Sequence, residues 1–303
     1  MTSVLLATCR GWPDGEPGGE LLVAALAERG IDARWVSWDD PTQDWAGADL
    51  VAVRSTWDYM VRHEEFVAWS RRVADRTRLL NGPVVFAWNV DKAYLAGLEA
   101  GLAVVPTRTA ATVEELAAGV REFGVAVVKP RVGAAGVGVL VVDHPEDPRL
   151  GTEVKDHPEL PPGRGPWVVQ PLVPSVRTAG ETSVFVLGGR AVSQVDKLPA
   201  GGEIRVHEHF GGSSRAVPLR SDAAELAEAG IAAAARAVGF ALDYGRVDMM
   251  RLPGGTLAVS ELELTEPGLY LDVLPENAGA FADLVAARLA RGPETFALSP
   301  PEC

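Results

Sequence analysis

The chain has 303 residues, of which 47% are hydrophobic and 23% are charged. That balance is typical of a globular protein with large buried cores and excludes an intrinsically disordered chain. The formal net charge of −13 argues against nucleic acid and anionic membrane surfaces as the main partners. Only four of the 28 basic residues are lysines, namely Lys92, Lys129, Lys155 and Lys197. A chain that otherwise uses arginine can keep lysine where a compact point charge is needed.

The two cysteines, Cys9 and Cys303, do not make a disulfide framework. No apolar run approaches the roughly 18 residues that a membrane span requires, and the N-terminus lacks the basic region of a signal peptide. We therefore expect a cytoplasmic protein without a membrane segment.

The first 88 residues alternate short apolar runs with amphipathic segments. Strands are expected at Val4–Ala7, Ile31–Val36, Leu50–Val53 and Val84–Phe86, and helices at Glu20–Arg29 and Glu64–Asp75. This alternation predicts a small parallel α/β domain over residues 1–88. Because ligands bind beyond the carboxyl ends of parallel strands, Arg54, Asp58 and Tyr59 are candidate substrate contacts. A structural salt bridge is the alternative for this group.

From residue 89 onwards the pattern changes to strands joined by turns, with four helical segments. Gly188-Gly189 lies between two alternating runs and predicts a hairpin. Thr112 and Glu115 have the spacing of a helix capping box. We predict a central part over 89–170, which carries a glycine loop, and a C-terminal part over 171–303.

The most informative motif is a strand that ends in Lys129 and leads into a loop with Gly133, Gly136 and Gly138. Glycines allow backbone N–H groups to approach phosphate oxygens, and a lysine adds a point charge. The sequence is neither a P-loop nor a dinucleotide fingerprint, because a strand follows the loop and GxxxxGK[ST] is absent. A flexible hairpin turn is the alternative interpretation.

Three carboxylates, Asp248, Glu261 and Glu263, lie in two apolar strand segments near the end of the chain. Residues i and i+2 of a strand face the same side, so Glu261 and Glu263 are neighbours. In a buried context these groups would repel each other unless a cation joined them, and Mg²⁺ prefers such oxygen ligands. A strand that faces solvent is the alternative.

Other candidates are weaker on their own. The strand that runs into Gln170-Pro171-Leu172 can present backbone groups to a purine edge. His207 and His209 alternate along one segment; a zinc pair lacks a third ligand nearby, so a substrate contact by His207 is preferred. Glu266 can bind a substrate amino group, or it can be a solvated loop acid.

In this order the elements resemble the ATP-grasp superfamily over residues 89–290, which implies a mixed α/β and α+β fold that follows an N-terminal parallel α/β domain. The resemblance implies ATP and Mg²⁺ as cofactors, with Mn²⁺ as a substitute. It assigns the nucleotide to Lys92, Lys129, Gly133, Gly136, Gly138, Gln170, Leu172 and Glu181. It assigns the γ-phosphate or the acyl oxygen to Lys197 and Arg205, and the metal to Asp248, Glu261 and Glu263. One position departs from the pattern, because many members have Asn where this chain has Glu263.

Three stretches, residues 54–59, 210–214 and 261–271, are similar to the cycloserine synthetases, which are O-ureido-D-serine cyclo-ligases. The similarity implies that ATP phosphorylates the carboxylate of a small amino acid derivative, which a tethered ureido nitrogen then attacks. An intermolecular amide ligase of the glutathione-synthetase type is the alternative enzyme. A non-catalytic nucleotide-binding regulator is the alternative from another class. A homodimer is compatible with either.

Overall fold

The computed structural model describes residues 2–98, 101–150 and 166–291. Its strands form three sheets, one of five strands and two of four. Within these ranges no helix is long and apolar enough to cross a bilayer. The mixed α/β and α+β class is confirmed, because one sheet is parallel and the other two are antiparallel.

The N-terminal sheet, sheet A, is parallel throughout, as the alternating pattern predicts. Its elements are β1 (Thr2–Thr8), α1 (Gly19–Ala27), β2 (Ile31–Ser37), β3 (Leu50–Ser55), α2 (His63–Ala74), β4 (Arg78–Leu79) and α3 (Gly82–Asn89). The strand order is β2-β1-β3-β4. Every residue of β3 is buried, which explains its unbroken apolar run and directs the residues that follow it to the edge of the sheet.

The strand expected at Val84–Phe86 is wrong, because these residues belong to helix α3. Pro83 occupies the first turn, where its missing N–H costs nothing. Val85, Phe86 and Asn89 are buried while Val84 is 54% exposed, which is helical spacing. A run of three apolar residues fits either element, and the proline with this longer periodicity is the signal that decides.

The central sheet, sheet C, is antiparallel and has the order β5-β8-β6-β7. Its elements are β5 (Arg108–Ala110), α4 (Val113–Phe123), β6 (Ala126–Pro130), β7 (Leu140–Val142) and β8 (Trp167–Pro171). Helix α4 starts with the predicted capping box, in which Thr112 accepts from the Glu115 amide and Glu115 accepts from the Thr112 amide. The glycine loop connects β6 to β7.

The C-terminal sheet, sheet B, is antiparallel and has the order β11-β10-β9-β12-β13. Its elements are β9 (Glu181–Leu187), β10 (Arg190–Leu198), β11 (Ser213–Val217), α5 (Ser221–Val238), β12 (Tyr244–Arg251), β13 (Leu257–Glu263) and α6 (Glu276–Ala290). Gly188 and Gly189 have φ values of 58° and 80° at the predicted hairpin turn.

The two faces of sheet B pack against different parts of the protein. Val184 and Val247 on one face pack into a core shared with α5. On the other face, Phe185 and Tyr244 pack against α6, while the positions further along the same strands carry charged side chains. Three sheets occupy the three predicted parts of the chain, although the domain boundaries at 88 and 170 stay a prediction.

Candidate active site

A cavity of about 750 Å³ lies where elements of all three sheets meet. Sixteen of the eighteen predicted site residues line it, while Arg54 and Gly138 do not. The lining set is Asp58, Tyr59, Lys92, Lys129, Gly133, Gly136, Gln170, Leu172, Glu181, Lys197, Arg205, His207, Asp248, Glu261, Glu263 and Glu266. Residues scattered over more than two hundred positions therefore converge on one site. Lys155 lies outside the described residues.

Strand register explains why the charged residues of sheet B share one face. Asp248 of β12 lies opposite Glu261 of β13, and Arg246 lies opposite Glu263. Lys197 of β10 lies opposite Glu181 of β9. Directly opposed residues of an antiparallel pair project to the same side. The predicted metal carboxylates and the predicted catalytic lysine are therefore neighbours on one surface of the cavity.

These side chains form a connected network of buried ion pairs. Lys197 Nζ lies 2.5 Å from Glu181 Oε1 and 3.2 Å from Asp248 Oδ2. Arg246 Nε donates to Asp248 Oδ1 over 2.9 Å, and its Nη2 pairs with Glu263. Ser183 Oγ donates to Asp248 over 2.6 Å. Asp248 is the hub of the network, because both of its oxygens receive charged donors.

Opposing effects set the charge states in this network. Burial by itself raises the pKa of Asp248, but Arg246 and Lys197 outweigh it and hold that pKa well below its usual range. Burial likewise lowers the pKa of Lys197, and Asp248 with Glu181 reverses this and raises it. Asp248 is therefore a carboxylate and Lys197 an ammonium throughout the physiological range.

Lys92 connects the glycine loop to the carboxylate face. Its Nζ lies 3.0 Å from Glu261 Oε1 and also donates to the Gly133 carbonyl. Its backbone N–H donates to the Arg131 carbonyl over 2.8 Å. Lys92, about forty positions earlier in the chain, thus holds the start of the loop through the carbonyl groups of Arg131 and Gly133.

Lys129 differs from the other two lysines of the cavity. It projects from β6 on the cavity wall, and its side chain forms neither a hydrogen bond nor an ion pair with any residue that the structure describes. Burial raises the pKa of Glu261, but the positive charges of Lys92 and Lys129 outweigh this effect and lower it. Lys129 is therefore the lysine of the cavity whose Nζ is available to a ligand without breaking an existing contact.

The glycine loop packs closely against the segment that follows β10. A Cβ on Gly136 would lie 3.4 Å from both Arg205 Cδ and a ring carbon of Phe210, and its φ of 72° also favours glycine. The guanidinium of Arg205 lies 3.5 Å from the centre of the Phe210 ring. Gly138 instead lies against Pro130, where a Cβ would come within 2.7 Å, so its role is in packing beneath the loop.

The end of the cavity near sheet C is mostly apolar. Val127, Val173 and Met250 line it beside Gln170 and Leu172. Gln170 is buried and donates to Thr107 Oγ1 over 2.9 Å, which fixes its side chain. An apolar end with a polar residue at its edge suits an aromatic ring such as a purine.

The predicted substrate residues at the end of β3 behave in three different ways. Tyr59 lines the cavity, is 5% exposed and hydrogen-bonds Glu266. Asp58 also lines it, but its two oxygens already accept from Trp38 Nε1 over 2.7 Å and Arg62 Nη2 over 2.9 Å. Arg54 is fully buried behind the wall, where it pairs with Glu16 at 3.7 Å. Of the two alternatives for Arg54, a substrate contact or a structural salt bridge, the structure shows the salt bridge.

Arg54→Met is expected to destabilise the fold by about 3–5 kcal/mol, because it leaves the buried Glu16 carboxylate without its cation. The guanidinium also lies 4.6 Å above the Phe281 ring, so stacking is lost as well. Urea denaturation followed by tryptophan fluorescence measures the change. Arg108→Met is the matched control: it removes an exposed ion pair with Glu122 and should cost less than about 1 kcal/mol.

The sequence reasoning missed several charged or aromatic residues of the cavity. Glu16, Arg246 and Tyr270 line it, and Glu16 and Arg246 are buried. Arg246 was detectable, since it lies two positions before Asp248 on one strand and so faces the same side. Glu16 lies in a Gly/Pro-rich loop with no periodicity, so nothing in the sequence marked it as buried.

The donor set fits a hard divalent cation in kind, because Asp248, Glu261 and Glu263 offer only carboxylate oxygens. Each is ion-paired, and within the described residues no three carboxylate, imidazole or thiolate groups converge on one point. His207 and His209 therefore do not form a zinc site in this part of the chain. Partial desolvation, reinforced by the charge of Lys197, lowers the pKa of His207 and favours the neutral imidazole.

Comparisons with known proteins agree with this geometry. Residues 4–81 match the family model described as the N-terminal domain of D-cycloserine synthetase DcsG, and residues 95–244 match the ATP-grasp domain of prokaryotic glutathione synthetase. The crystal structure of D-cycloserine synthetase DcsG superposes with a TM-score of 0.81 at 30% identity, over 95% of this chain and 99% of that one. The ATP-grasp ligase PsnB, at 17% identity and a TM-score of 0.63, shares the fold.

Among curated proteins, the cycloserine biosynthesis protein DcsG of Streptomyces lavendulae is 33% identical over 88% of this chain and 92% of its own length. A glutathione synthetase of Parasynechococcus marenigrum is 34% identical over 77% of this chain and 72% of its own. The N-terminal sheet matches the model of the D-cycloserine synthetase N-terminal domain, and the following part matches an ATP-grasp domain. The chain therefore belongs to the DcsG family of ATP-grasp ligases, enzymes that form carbon–nitrogen bonds and use ATP with a divalent metal ion.

Proposed function

We propose that this enzyme closes O-ureido-D-serine into D-cycloserine at the expense of ATP. The observation that carries the proposal is the match of the N-terminal sheet, and not only of the ATP-grasp part, to the cycloserine synthetase. That sheet supplies Glu16, Trp57, Asp58 and Tyr59 to the cavity. The part of the chain that matches the cycloserine synthetase therefore contributes these four residues to the cavity.

In this proposal ATP binds with its base in the apolar end of the cavity at Gln170 and Leu172. Lys92, Lys129 and the amides of the loop at Gly133 and Gly136 hold the phosphates. Backbone donors and cations in a sheltered site stabilise charge on a phosphoryl group better than water does. Glu181 supports the site through Lys197, and Gly138 supports it through the packing of the loop.

Asp248, Glu261 and Glu263 would hold Mg²⁺, with Mn²⁺ as a substitute. A bound ion there would supply positive charge that neutralises the phosphate oxygens of the nucleotide. Lys92 and Arg246 balance the charges of Glu261 and Glu263, and both cations line the same cavity. Glu263 stands where many superfamily members have Asn, and its pairing with Arg246 compensates for the added charge.

The chemistry has two steps. A carboxylate oxygen of the substrate attacks the γ-phosphorus, and the bond to the β-γ bridging oxygen breaks to release ADP. The ureido nitrogen next to oxygen then attacks the acyl carbon, loses its proton and expels phosphate. Hydrolysis of the carbamoyl group with one water gives carbon dioxide and ammonia. Lys197 and Arg205 would stabilise the charge on the transferred phosphoryl and acyl oxygens, and His207 would contact the substrate as a neutral group.

ADP release with a single substrate tests the proposal. Enzyme with Mg-ATP and O-ureido-D-serine should release one ADP for each D-cycloserine formed, with no second amine present. No second amine is needed because the attacking ureido nitrogen belongs to the same molecule as the acyl group, and an intramolecular nucleophile needs no separate binding step. A pyruvate kinase coupled assay measures ADP, and mass spectrometry measures the product. ADP release that depends on a second amine would contradict the cyclo-ligase assignment.

That second outcome defines the alternative, an intermolecular amide ligase, which the similarity to glutathione synthetases favours. The non-catalytic regulator is disfavoured, because every site position expected to be charged carries a charged residue. All of these residues except Arg54 line one cavity. In either enzymatic case the substrate is a small amino acid derivative, with no nucleic acid or membrane involved. Cytoplasmic location and a homodimer stay predictions.

A further inference from the structure

One buried carboxylate of the cavity has no counter-charge among the residues that the structure describes. Glu266 is 7% exposed, lines the cavity and forms no ion pair there. Its neighbours differ, because Glu261 has Lys92 and Glu263 has Arg246. A buried carboxyl group without a cation is costly to ionise, so its presence on a cavity wall points to a cation that arrives with a ligand.

The electrostatic environment of Glu266 supports this interpretation. Burial is the main cause that raises its pKa to about 8, the charge of Glu263 adds to it, and the hydrogen bond from Tyr59 opposes it. Lys92 and Glu261 also act on it, with opposite signs. The Tyr59 hydroxyl therefore satisfies one lone pair, and no cation among the described residues forms an ion pair with Glu266.

The N-terminal part of the chain holds the backbone around Glu266 at four positions between 266 and 270. Trp57 Nε1 donates to the Glu266 carbonyl over 3.2 Å, and Arg54 donates to the carbonyl of the next residue, Pro267. Glu16 Oε2 then accepts the backbone N–H groups of Leu269, over 2.5 Å, and Tyr270, over 3.0 Å. We call this set of contacts the 266–270 clamp.

The clamp also stabilises a strained residue. Tyr270 has a φ of 55°, which is rare for a residue other than glycine, and Glu16 accepts its N–H. Its ring lines the cavity with its centre 5.5 Å from the guanidinium carbon of Arg246. Such strain persists where the surroundings over-determine it and is concentrated at ligand-binding sites. The clamp therefore fixes a wall of the cavity, which also includes Trp57 and Gly268.

We propose that Glu266, fixed by the 266–270 clamp and hydrogen-bonded by Tyr59, binds the α-ammonium group of an amino acid substrate. This inference rests on the proposed function, in which the carboxylate of the same molecule is phosphorylated. It defines the substrate class as a zwitterion with a free ammonium group, to the exclusion of N-acylated amino acids and simple carboxylic acids. An ammonium held by a carboxylate stays protonated, so it does not compete with the ureido nitrogen for the acyl group.

Glu266→Gln tests the inference, because it removes the charge and keeps the shape. The probes are O-ureido-D-serine and 3-(ureidooxy)propanoic acid, which lacks the ammonium group. We expect the wild-type enzyme to prefer the amino acid strongly in kcat/KM. In Glu266→Gln the KM for the amino acid should rise by about 10- to 100-fold, as for loss of a charged hydrogen bond. The KM for ATP should stay within about 2-fold of the wild-type value, and the preference over the desamino compound should largely disappear.

Three controls separate the outcomes. Glu225→Gln, on the exposed face of α5, should match the wild type in every parameter. If Glu266→Gln fails to fold, Glu266→Asp, which keeps the charge and shortens the side chain, should show the same loss of preference to a smaller extent. Calorimetry of both probes in the presence of a non-hydrolysable ATP analogue measures ammonium recognition even in the absence of turnover.

An unchanged preference for the amino acid in Glu266→Gln would overturn the inference. So would a loss of affinity for ATP or a higher Mg²⁺ requirement, since Glu266 would then belong to the nucleotide site. Failure of the proposed function is a different result, namely no ADP release by the wild-type enzyme with O-ureido-D-serine while the calorimetric preference for a free ammonium group persists.

Discussion

Lys129→Ala is expected to weaken ATP binding by about 100-fold or more, which places it beyond calorimetric detection. A lysine that donates to phosphate makes a charge-assisted hydrogen bond, and such bonds contribute about 1.5–3 kcal/mol each. The loss of long-range attraction from the same charge adds to this in a sheltered cavity. Lys129 is the cleanest residue for such a test, because its Nζ has no partner among the described residues.

The same feature separates binding from folding. Removal of Lys129 leaves no described group without a hydrogen-bond or ion-pair partner. The free energy of unfolding should therefore change by less than about 0.5 kcal/mol, and the thermal unfolding midpoint should match that of the wild type. Arg121→Ala, which removes an exposed cation from α4, is the matched control and should bind ATP normally. Normal ATP affinity in Lys129→Ala would contradict the placement of the phosphates at the glycine loop.

Much of the site was predictable because it depends on strand ends and strand register. Lys129 ends a strand before glycines, and Asp248 with Glu261 lies in two apolar runs joined by a turn. Both patterns are local, and the antiparallel pairing that brings Asp248 opposite Glu261 follows from a short hairpin. The fold class was predictable for the same reason, since alternation of strand and helix is a local property.

What the sequence left open depends on contacts between distant segments. Arg54 contacts Pro267 and pairs with Glu16, and neither contact has a periodicity that a pattern can detect. A residue at the carboxyl end of a parallel strand can contact a ligand or form a buried structural ion pair, and only tertiary packing decides between these roles. For Glu266, the sequence could not distinguish a solvated loop acid from a buried one, since exposure is set by the clamp from sheet A.

Lys197→Met is the second variant with a large expected effect, and it should lower kcat by about 10²- to 10³-fold, as loss of one preorganised donor does. In the proposed mechanism Lys197 stabilises the negative charge that builds on the transferred phosphoryl and acyl oxygens. Lys197 is 4% exposed and lies between Glu181 and Asp248. Methionine keeps the length of the side chain and removes its charge.

A loss of activity by itself would not identify Lys197 as catalytic, because the substitution also leaves Glu181 as a buried carboxylate without its cation. Breaking such a pair costs about 3–5 kcal/mol of stability. The double variant Lys197→Met/Glu181→Gln removes both charges of the pair, and the amide can still accept the hydrogen bond that Ser260 donates. Most of the stability should therefore return, which urea denaturation measures.

Activity should not return with it. If Lys197 acts on the transferred phosphoryl group, the double variant remains as slow as the single one, although it is folded and binds ATP. If Lys197 only balances Glu181, removal of both charges should restore turnover along with stability. The comparison of stability and kcat in these two variants thus distinguishes a catalytic lysine from a structural one. The outcome does not depend on which amino acid derivative is the substrate, provided that the wild-type enzyme turns it over.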